Sequence, residues 1–328
     1  MGSVRPGTVA GGTRAEIEAL ASQVGQSIHV EPIDLPQAAV EVRRPEPARW
    51  LRSLPLPLLP FLIFCILLEI VPVIVLIRDS LRVQGFGAFT LTNYLVIIDP
   101  LYARALRNSV LISLGTALLG AVVGGLTAAA IVACSERWRQ WSLGLVAVTS
   151  NFGGIPLSFA FVALLGTNGF ITLLLRETLD LRLYPGRFSL YSWTGLTMVY
   201  FYFQLPLMIL IFTPAIARLK PVWREAAATL GAPTWYYWWR VGLRVMVAPF
   251  VAAMALLFAN ALGAYATAYA LVGGNLNILP IQIGYYIEGD LNFDPGKASA
   301  LSLILAVLMA LGISVAYTMT QRSQRWLS

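Results

Sequence analysis

The sequence predicts an all-α membrane protein with six transmembrane helices. Of its 328 residues, 58% are hydrophobic and only 12% are charged, which is more apolar surface than a soluble domain can bury. Six apolar segments of about 20 residues are each long enough to span a bilayer. They are predicted at Pro57–Ile77, Ser109–Cys134, Leu143–Leu165, Trp193–Ile216, Val245–Val272 and Ala298–Thr318.

Three regions are expected along the chain. Residues 1–54 are predicted to be a flexible cytoplasmic tail, because they are rich in Gly, Pro, Ala and charge and lack sustained periodicity. One amphipathic helix from Arg14 to Val24 is the alternative within this tail. No apolar run begins near Met1, so a secretory signal is not expected there. Residues 55–320 are predicted to form the membrane domain, and residues 321–328 a short cytoplasmic C-terminal tail.

The basic residues indicate the orientation of the chain. A net charge of +7 would suggest nucleic acid in a soluble protein, but in a membrane protein it indicates cytoplasmic loops near anionic lipid. We therefore expect no nucleic-acid partner. Arginines are more numerous on the side that holds the termini, so both termini are expected in the cytoplasm, although the Arg78–Arg107 loop is basic for an outer loop. The loop Gly273–Gly296 agrees with this orientation, because it holds three acids and no basic residue.

Spans two to five contain residues that interrupt helices or are polar at membrane depth. Asn151 to Pro156 is predicted to break the third span, and Gly120 and Gly124 have the spacing of close helix packing. Broken helices with polar groups are tolerated where they line a cavity or pack on protein. The candidate lining residues of a substrate pathway, each with interhelical packing as its alternative, are Asn151, Tyr200, Gln204, Asn260 and Tyr265.

Glu69 is a further pathway candidate, because it is the only acid within a predicted span. An interfacial carboxylate, or one paired with an arginine, is the alternative. The two cysteines, Cys65 and Cys134, have no metal-ligand spacing. The sequence shows neither a metal site nor a catalytic cluster, and no metal is expected to bind.

The loop at residues 217–244 is predicted to contain a short docking helix. Pro221 suits a first helical turn, and Glu225 is expected early in the helix, where the helix dipole favours a carboxylate. Three small helix formers, Ala226 to Ala228, follow. Gly231 suits a left-handed stop, and Pro233 forbids continuation. Such a helix can enter a groove of another protein closely; the alternative is a plain connecting helix at the lipid headgroups.

A second short helix is expected immediately after this stop. Thr234 is predicted to cap it, and the segment from Trp235 to Arg240 is rich in the aromatic residues that favour a membrane interface.

The loop resembles the signature of permease subunits of binding-protein-dependent ABC importers of the type I fold. That signature reads Glu-Ala-Ala, three residues, Gly, nine residues, Ile, one residue, Leu-Pro. The chain matches it at Glu225, Ala226, Ala227, Gly231 and Leu243, has Val241 in place of Ile, and departs at Arg244, where the family usually has proline. The bend into span five is therefore left open. Residues 91–94 and 107–109 are also similar to the segment that leads into the family's second helix.

The resemblance implies a type I ABC importer permease with a cytoplasmic coupling helix formed by Glu225, Ala226, Ala227 and Gly231. It implies three partners in a bacterial inner membrane: a cytoplasmic ATPase dimer, an extracytoplasmic solute-binding protein and a second permease, with a hetero-pair preferred over a homodimer. The chain has no GxxxxGK[ST] phosphate loop. ATP and Mg are thus expected on the partner ATPase, and this chain is expected to be neither an enzyme nor cofactor-bound.

The solute is only broadly indicated. The segment Leu164–Gly169 resembles the branch that serves polyamines, ferric iron, thiamine and phosphonates, and a polyamine such as spermidine or putrescine is preferred. Another small solute, including a sugar, is the alternative. A secondary transporter independent of ATP would need a mid-membrane acid pair, and the predicted spans hold only Glu69. A structural membrane protein would have no need of the docking loop.

Overall fold

The computed structural model describes residues 58–82, 87–181, 183–184, 188–288 and 293–325. The predicted N-terminal tail lies outside these residues. Within them, six helical stretches have the length and hydropathy needed to cross a membrane, which confirms the predicted all-α, six-helix membrane fold. These stretches are Leu59–Ser80, Pro100–Ala133, Gly154–Leu179, Trp193–Ala217, Thr234–Leu262 and Pro295–Arg322.

Eleven helices are named for the described residues. Two of them contain a π-helical turn, at Ile66–Ile70 in α1 and at Trp238–Gly242 in α8. The helices are α1 (Leu59–Ser80), α2 (Pro100–Ala133), α3 (Glu136–Ser150), α4 (Gly154–Leu165), α5 (Phe170–Leu179), α6 (Trp193–Ala217), α7 (Pro221–Thr229), α8 (Thr234–Leu262), α9 (Tyr265–Val272), α10 (Leu279–Glu288) and α11 (Pro295–Arg325).

The predicted spans differ from the structure in their extent, most of all the third and the fifth. The stretch predicted as Leu143–Leu165 is divided by a turn, so that its first part belongs to α3 and its second part is α4. The predicted break is confirmed there, with Gly154 at φ 67°, a conformation that favours glycine. The stretch predicted as Val245–Val272 begins earlier, at Thr234, and is interrupted at Gly263 and Ala264 between α8 and α9.

Small residues let the central helices approach closely. A Cβ atom on Gly124 of α2 would lie 2.7 Å from the Cβ atom of Met208 on α6, and one on Gly120 would lie 3.1 Å from that of Gln204. The predicted role of these two glycines in close helix packing is confirmed. Helices α8 and α11 also approach closely. A Cβ atom on Gly312 of α11 would lie 3.3 Å from the carbonyl oxygen of Ala255 on α8.

The first membrane helix is largely uncovered by the rest of the described chain. Its second part, Val71–Ser80, packs against α11. Large apolar side chains such as Phe61, Phe64 and Leu68 are exposed along it. In a bilayer these side chains can face lipid, where apolar exposure carries no penalty.

Candidate functional site

The helix α7 is a short exposed segment between the fourth and fifth membrane helices. Pro221 is its first residue, as predicted, because the missing N–H of proline costs nothing in a first turn. No side chain of α7 is buried; Glu225 and Ala226 are exposed and Ala227 is half-buried. The alanine face from Ala226 to Ala228 is therefore open to a partner molecule, with only methyl groups between the partner and the helix backbone.

The end of α7 is a rigid stop. Ala232 N–H donates to the carbonyl of Ala227 at 2.9 Å, and Gly231 N–H donates to that of Ala228 at 3.0 Å. This pair of bonds is the Schellman arrangement, which needs a left-handed residue after the last turn. Gly231 has φ 75°, and no atom lies within 4 Å of a Cβ placed on it. The predicted left-handed stop is confirmed, and glycine is required by the backbone conformation rather than by crowding.

Two details of this loop differ from prediction. Glu225 is the fifth residue of α7 and not part of its first turn, so the helix dipole gives it little stabilisation, because that effect fades beyond the first turn. Thr234 makes no capping hydrogen bond; Pro233 is the residue before the helix, and its carbonyl accepts from Tyr236 N–H at 3.0 Å.

The aromatic segment is the beginning of α8 rather than a separate helix. Trp235 to Arg240 continue through the π-helical turn into the fifth membrane helix. Arg244 lies inside α8, and no break occurs at the position where the family signature has proline. Arg240 is placed over the ring of Tyr236, with its guanidinium carbon 5.6 Å from the ring centroid. The loop thus joins α7 to a single long helix through residues 230–233 alone.

A cavity of about 330 Å³ lies where two helix interruptions meet. Gly153 and Gly154, between α3 and α4, form one wall, and Gly263 and Ala264, between α8 and α9, form another. The remaining lining residues are Ser150, Phe203, Leu207, Asn260, Tyr265, Ala266 and Thr267. Ser158 holds the two interruptions in register, because its hydroxyl donates to the carbonyl of Thr267 at 2.8 Å.

The structure separates the five predicted pathway residues of spans three to five into two groups. Asn260 and Tyr265 line the cavity together. Asn151 does not line it; it lies in the turn between Ser150 and Gly153, where its amide donates to the carbonyl of Ala147 at 2.8 Å. Tyr200 and Gln204 are buried between helices instead.

Tyr200 and Gln204 act as interhelical contacts in this conformation. The hydroxyl of Tyr200 donates to the carbonyl of Ala264 at 3.1 Å, which ties α6 to the interruption after α8. The amide of Gln204 donates to the hydroxyl of Thr116 on α2 at 2.7 Å. Both side chains are buried and neither lines the cavity, which favours the packing alternative, because polar groups between membrane helices form such bonds.

Glu69 is not brought near the cavity. It lies in the π-helical turn of α1, where it is exposed. No described residue forms an ion pair with it. The contacts of α1 with α11 are made by Val71–Ser80, and Glu69 is not among the residues that line this cavity.

A second cavity, which the sequence does not indicate, shares a wall with the first. It has a volume of about 280 Å³ and lies between α10 and α11. Gly263 and Tyr265 line both cavities. Tyr265 follows the fifth membrane span. Burial, then the electrostatic effect of Glu288 and of the Tyr269 and Tyr285 hydroxyls, raises its pKa above the usual 10.0. Its phenol is therefore a neutral hydrogen-bonding group at physiological pH.

The chain resembles known transport proteins over most of its length. The family model described as "Binding-protein-dependent transport system inner membrane component" matches residues 120–328. The chain is 27% identical over 266 residues to the spermidine/putrescine transport system permease protein PotB of Haemophilus influenzae. This alignment covers 78% of this chain and 89% of PotB. It is also 30% identical over 130 residues to the sulfate transport system permease protein CysT of Escherichia coli. That alignment covers 38% of this chain and 46% of CysT.

A solved structure shares the fold. The crystal structure of a bacterial alginate ABC transporter, in complex with an alginate pentasaccharide-bound periplasmic protein, contains a chain that superposes with a TM-score of 0.60. The match covers 84% of this chain and 95% of that chain at 19% identity. At this identity the match shows the fold alone, and it supports the predicted importer architecture.

Proposed function

Because the chain belongs to the family of binding-protein-dependent transport system inner membrane components, we propose that it couples ATP hydrolysis to polyamine import. It is a multi-pass inner-membrane protein and the permease subunit of a type I ABC importer. The proposal concerns how α7 couples, which partners assemble and which solute passes. The observation that carries it is helix α7, which is exposed, ends at the left-handed Gly231 and precedes α8.

The helix α7 is the coupling helix of the proposed importer. Glu225, Ala226, Ala227 and Gly231 would contact a groove of the cytoplasmic ATPase, with the alanine face seated closely and Glu225 near basic or N–H donors. The Schellman bonds make α7 and the following chain one stiff unit. A displacement of α7 is therefore passed to α8, whose 29 residues extend about 40 Å to the interruption at the cavity.

The transport cycle that we propose is alternating access. A binding protein delivers the solute to the side of the membrane opposite α7. ATP and Mg bind to the ATPase dimer, whose closure moves the coupling helices and opens the cavity outward, and hydrolysis resets it. A second permease completes the pathway, and a sister chain is preferred over a second copy. In this arrangement both termini lie in the cytoplasm.

A polyamine is the proposed solute. PotB is the relative named above that aligns with the larger share of this chain. The cavity that holds Asn260 and Tyr265 contains no Arg or Lys among its described lining residues. An oxyanion such as sulfate would need N–H donors or positive charge there, whereas an amine cation can use hydroxyl, amide and aromatic groups.

The test is purification of the assembly from its native cell in mild detergent, followed by mass spectrometry and reconstitution in proteoliposomes. We expect an ATPase, a second permease and a solute-binding protein to accompany the chain, and ATP-dependent uptake of radiolabelled spermidine. Sulfate and thiamine are the alternative probes. The combined variant Glu225→Ala and Gly231→Pro should abolish uptake; intact uptake by an assembled variant would rule out the coupling role of α7.

The orientation has a direct test in Cys134, which is exposed at the end of α2. A membrane-impermeant maleimide should label Cys134 in inverted vesicles and leave it unlabelled in intact cells. The variant Cys134→Ser controls for reaction at Cys65. Labelling of Cys134 in intact cells would reverse the proposed orientation.

A further inference from the structure

The second cavity contains one charged group. Glu288, at the end of α10, lines it together with Tyr265 and Ser302, and the other lining residues are apolar or glycine. Among the described lining residues of both cavities, Glu288 is the one that carries a charge. It is exposed, and no ion pair joins it to another described residue.

Tyr265 forms the wall between the two cavities. Its ring stacks on that of Tyr269 with centroids 5.4 Å apart and planes at 27°. A Cβ atom on Gly284 would lie 2.8 Å from the Tyr265 hydroxyl and 3.2 Å from its ring carbons. The glycine on α10 therefore makes room for the tyrosine, and the ring is held between α9 and α10.

The chemistry of this lining selects a cation. A carboxylate attracts an ammonium group, and the face of a tyrosine ring adds a cation–π attraction. The same carboxylate repels an oxyanion, and no described lining residue offers a guanidinium or ammonium group to offset that repulsion. The hydroxyl of Ser302 can accept an N–H group of a primary amine.

The position of the cavity suits an entry site. The fifth membrane helix separates Tyr265 from the α7 end of the molecule, so the cavity lies toward the side opposite α7. Asn260, which lines the first cavity, precedes Tyr265 by five residues, across the interruption at Gly263 and Ala264. A solute that reaches Glu288 therefore needs only to pass Tyr265 to enter the first cavity.

We propose that Glu288, Tyr265 and Ser302 form an entry site for the ammonium group of an organic amine cation, and that Tyr265 separates this site from the Asn260 cavity. The site serves the proposed import function and depends on it. Glu288 supplies the charge, the ring of Tyr265 supplies the cation–π face, and Gly284 keeps that ring in place.

The test is equilibrium binding of tritiated spermidine to the purified complex in lipid nanodiscs, without the solute-binding protein and at physiological salt. Loss of the carboxylate in Glu288→Gln should weaken binding about five- to tenfold. The matched control is Glu177→Gln, an exposed glutamate on α5 that does not line the cavity. Tyr265→Phe keeps the ring and should bind nearly as well as wild type, whereas Tyr265→Leu should bind several-fold more weakly.

Uptake by the same preparations separates the two proposals. Equal spermidine affinity in Glu288→Gln and wild type would overturn the entry site, as would equal losses in Glu288→Gln and Glu177→Gln. A wild-type complex that imports spermidine with ATP but shows no binding would overturn the site and leave the import function intact. ATP-dependent uptake of sulfate instead of spermidine would overturn the proposed solute and the site together, and absence of ATP-dependent uptake of every probe would overturn the proposed function.

Discussion

Substitution of Gly231 by alanine should weaken docking of the ATPase without unfolding the chain. Gly231 has φ 75°, and a left-handed conformation costs an L-residue about 1–2 kcal/mol. No atom lies within 4 Å of the new Cβ, so steric clash adds nothing. The unbound helix can relieve this strain by unwinding its last turn, whereas the docked helix cannot. The cost therefore falls on docking, and 1–2 kcal/mol corresponds to about a 5- to 30-fold weaker affinity.

The assay is titration of the purified ATPase onto nanodisc-embedded permease, with thermal unfolding of the permease as a folding control. Asparagine tolerates the left-handed region better than alanine, so Gly231→Asn should lie between wild type and Gly231→Ala. The matched control is Gly144→Ala on α3, where no atom lies within 4 Å of the Cβ and φ is helical. Unchanged ATPase affinity in Gly231→Ala, or an equal loss in Gly144→Ala, would refute the reasoning.

Three further experiments test the packing. Gly124→Ala places its Cβ 2.7 Å from a side chain of α6 and should cost about 1–3 kcal/mol, seen as a lower Tm, whereas Gly115→Ala, with no atom within 4 Å, should not lower it. The cycle of Gln204→Leu and Thr116→Val should show a coupling of about 0.6–1.7 kcal/mol in unfolding; additive losses would contradict their hydrogen bond. Asp294→Ala removes the bond to a backbone N–H of α11 and the ion pair to the lysine one turn later. It should lower stability by about 1 kcal/mol, while Asp294→Asn should recover most of this loss.

The local elements were predictable where the backbone itself dictates them. Pro221 and Gly231 fix the two ends of α7 through the missing N–H and the left-handed turn, and both effects belong to single residues. The break near Gly154 follows in the same way. Hydropathy predicted the number of spans, because a membrane helix must be predominantly apolar. It placed the third span at Leu143–Leu165, whereas the structure has it at Gly154–Leu179.

Side-chain direction was not predictable from one sequence. Tyr200 and Gln204 carry polar groups, as Asn260 does, but the orientation of α6 buries them, with hydrogen bonds to Ala264 and Thr116. Such outcomes depend on which helices are neighbours, which a local pattern does not contain.

The predicted start of the second loop helix was wrong for a related reason. Thr234 is a residue type that often caps helices, yet Pro233 occupies the N-cap position and the aromatic segment is part of α8. The wall between the two cavities depends on Tyr265 and Gly284, which lie on different helices. Only the three-dimensional arrangement brings them together.

The central claim is that α7 docks a cytoplasmic ATPase, and photo-crosslinking tests it most directly. A photoreactive amino acid at Ala226, which is exposed on α7, should form a covalent adduct with an ATPase that contains a phosphate-binding loop. The same probe at Thr178, exposed near the end of α5, should form none. Adducts with lipid alone at Ala226, or equal ATPase adducts at both positions in an active complex, would contradict the coupling role of α7.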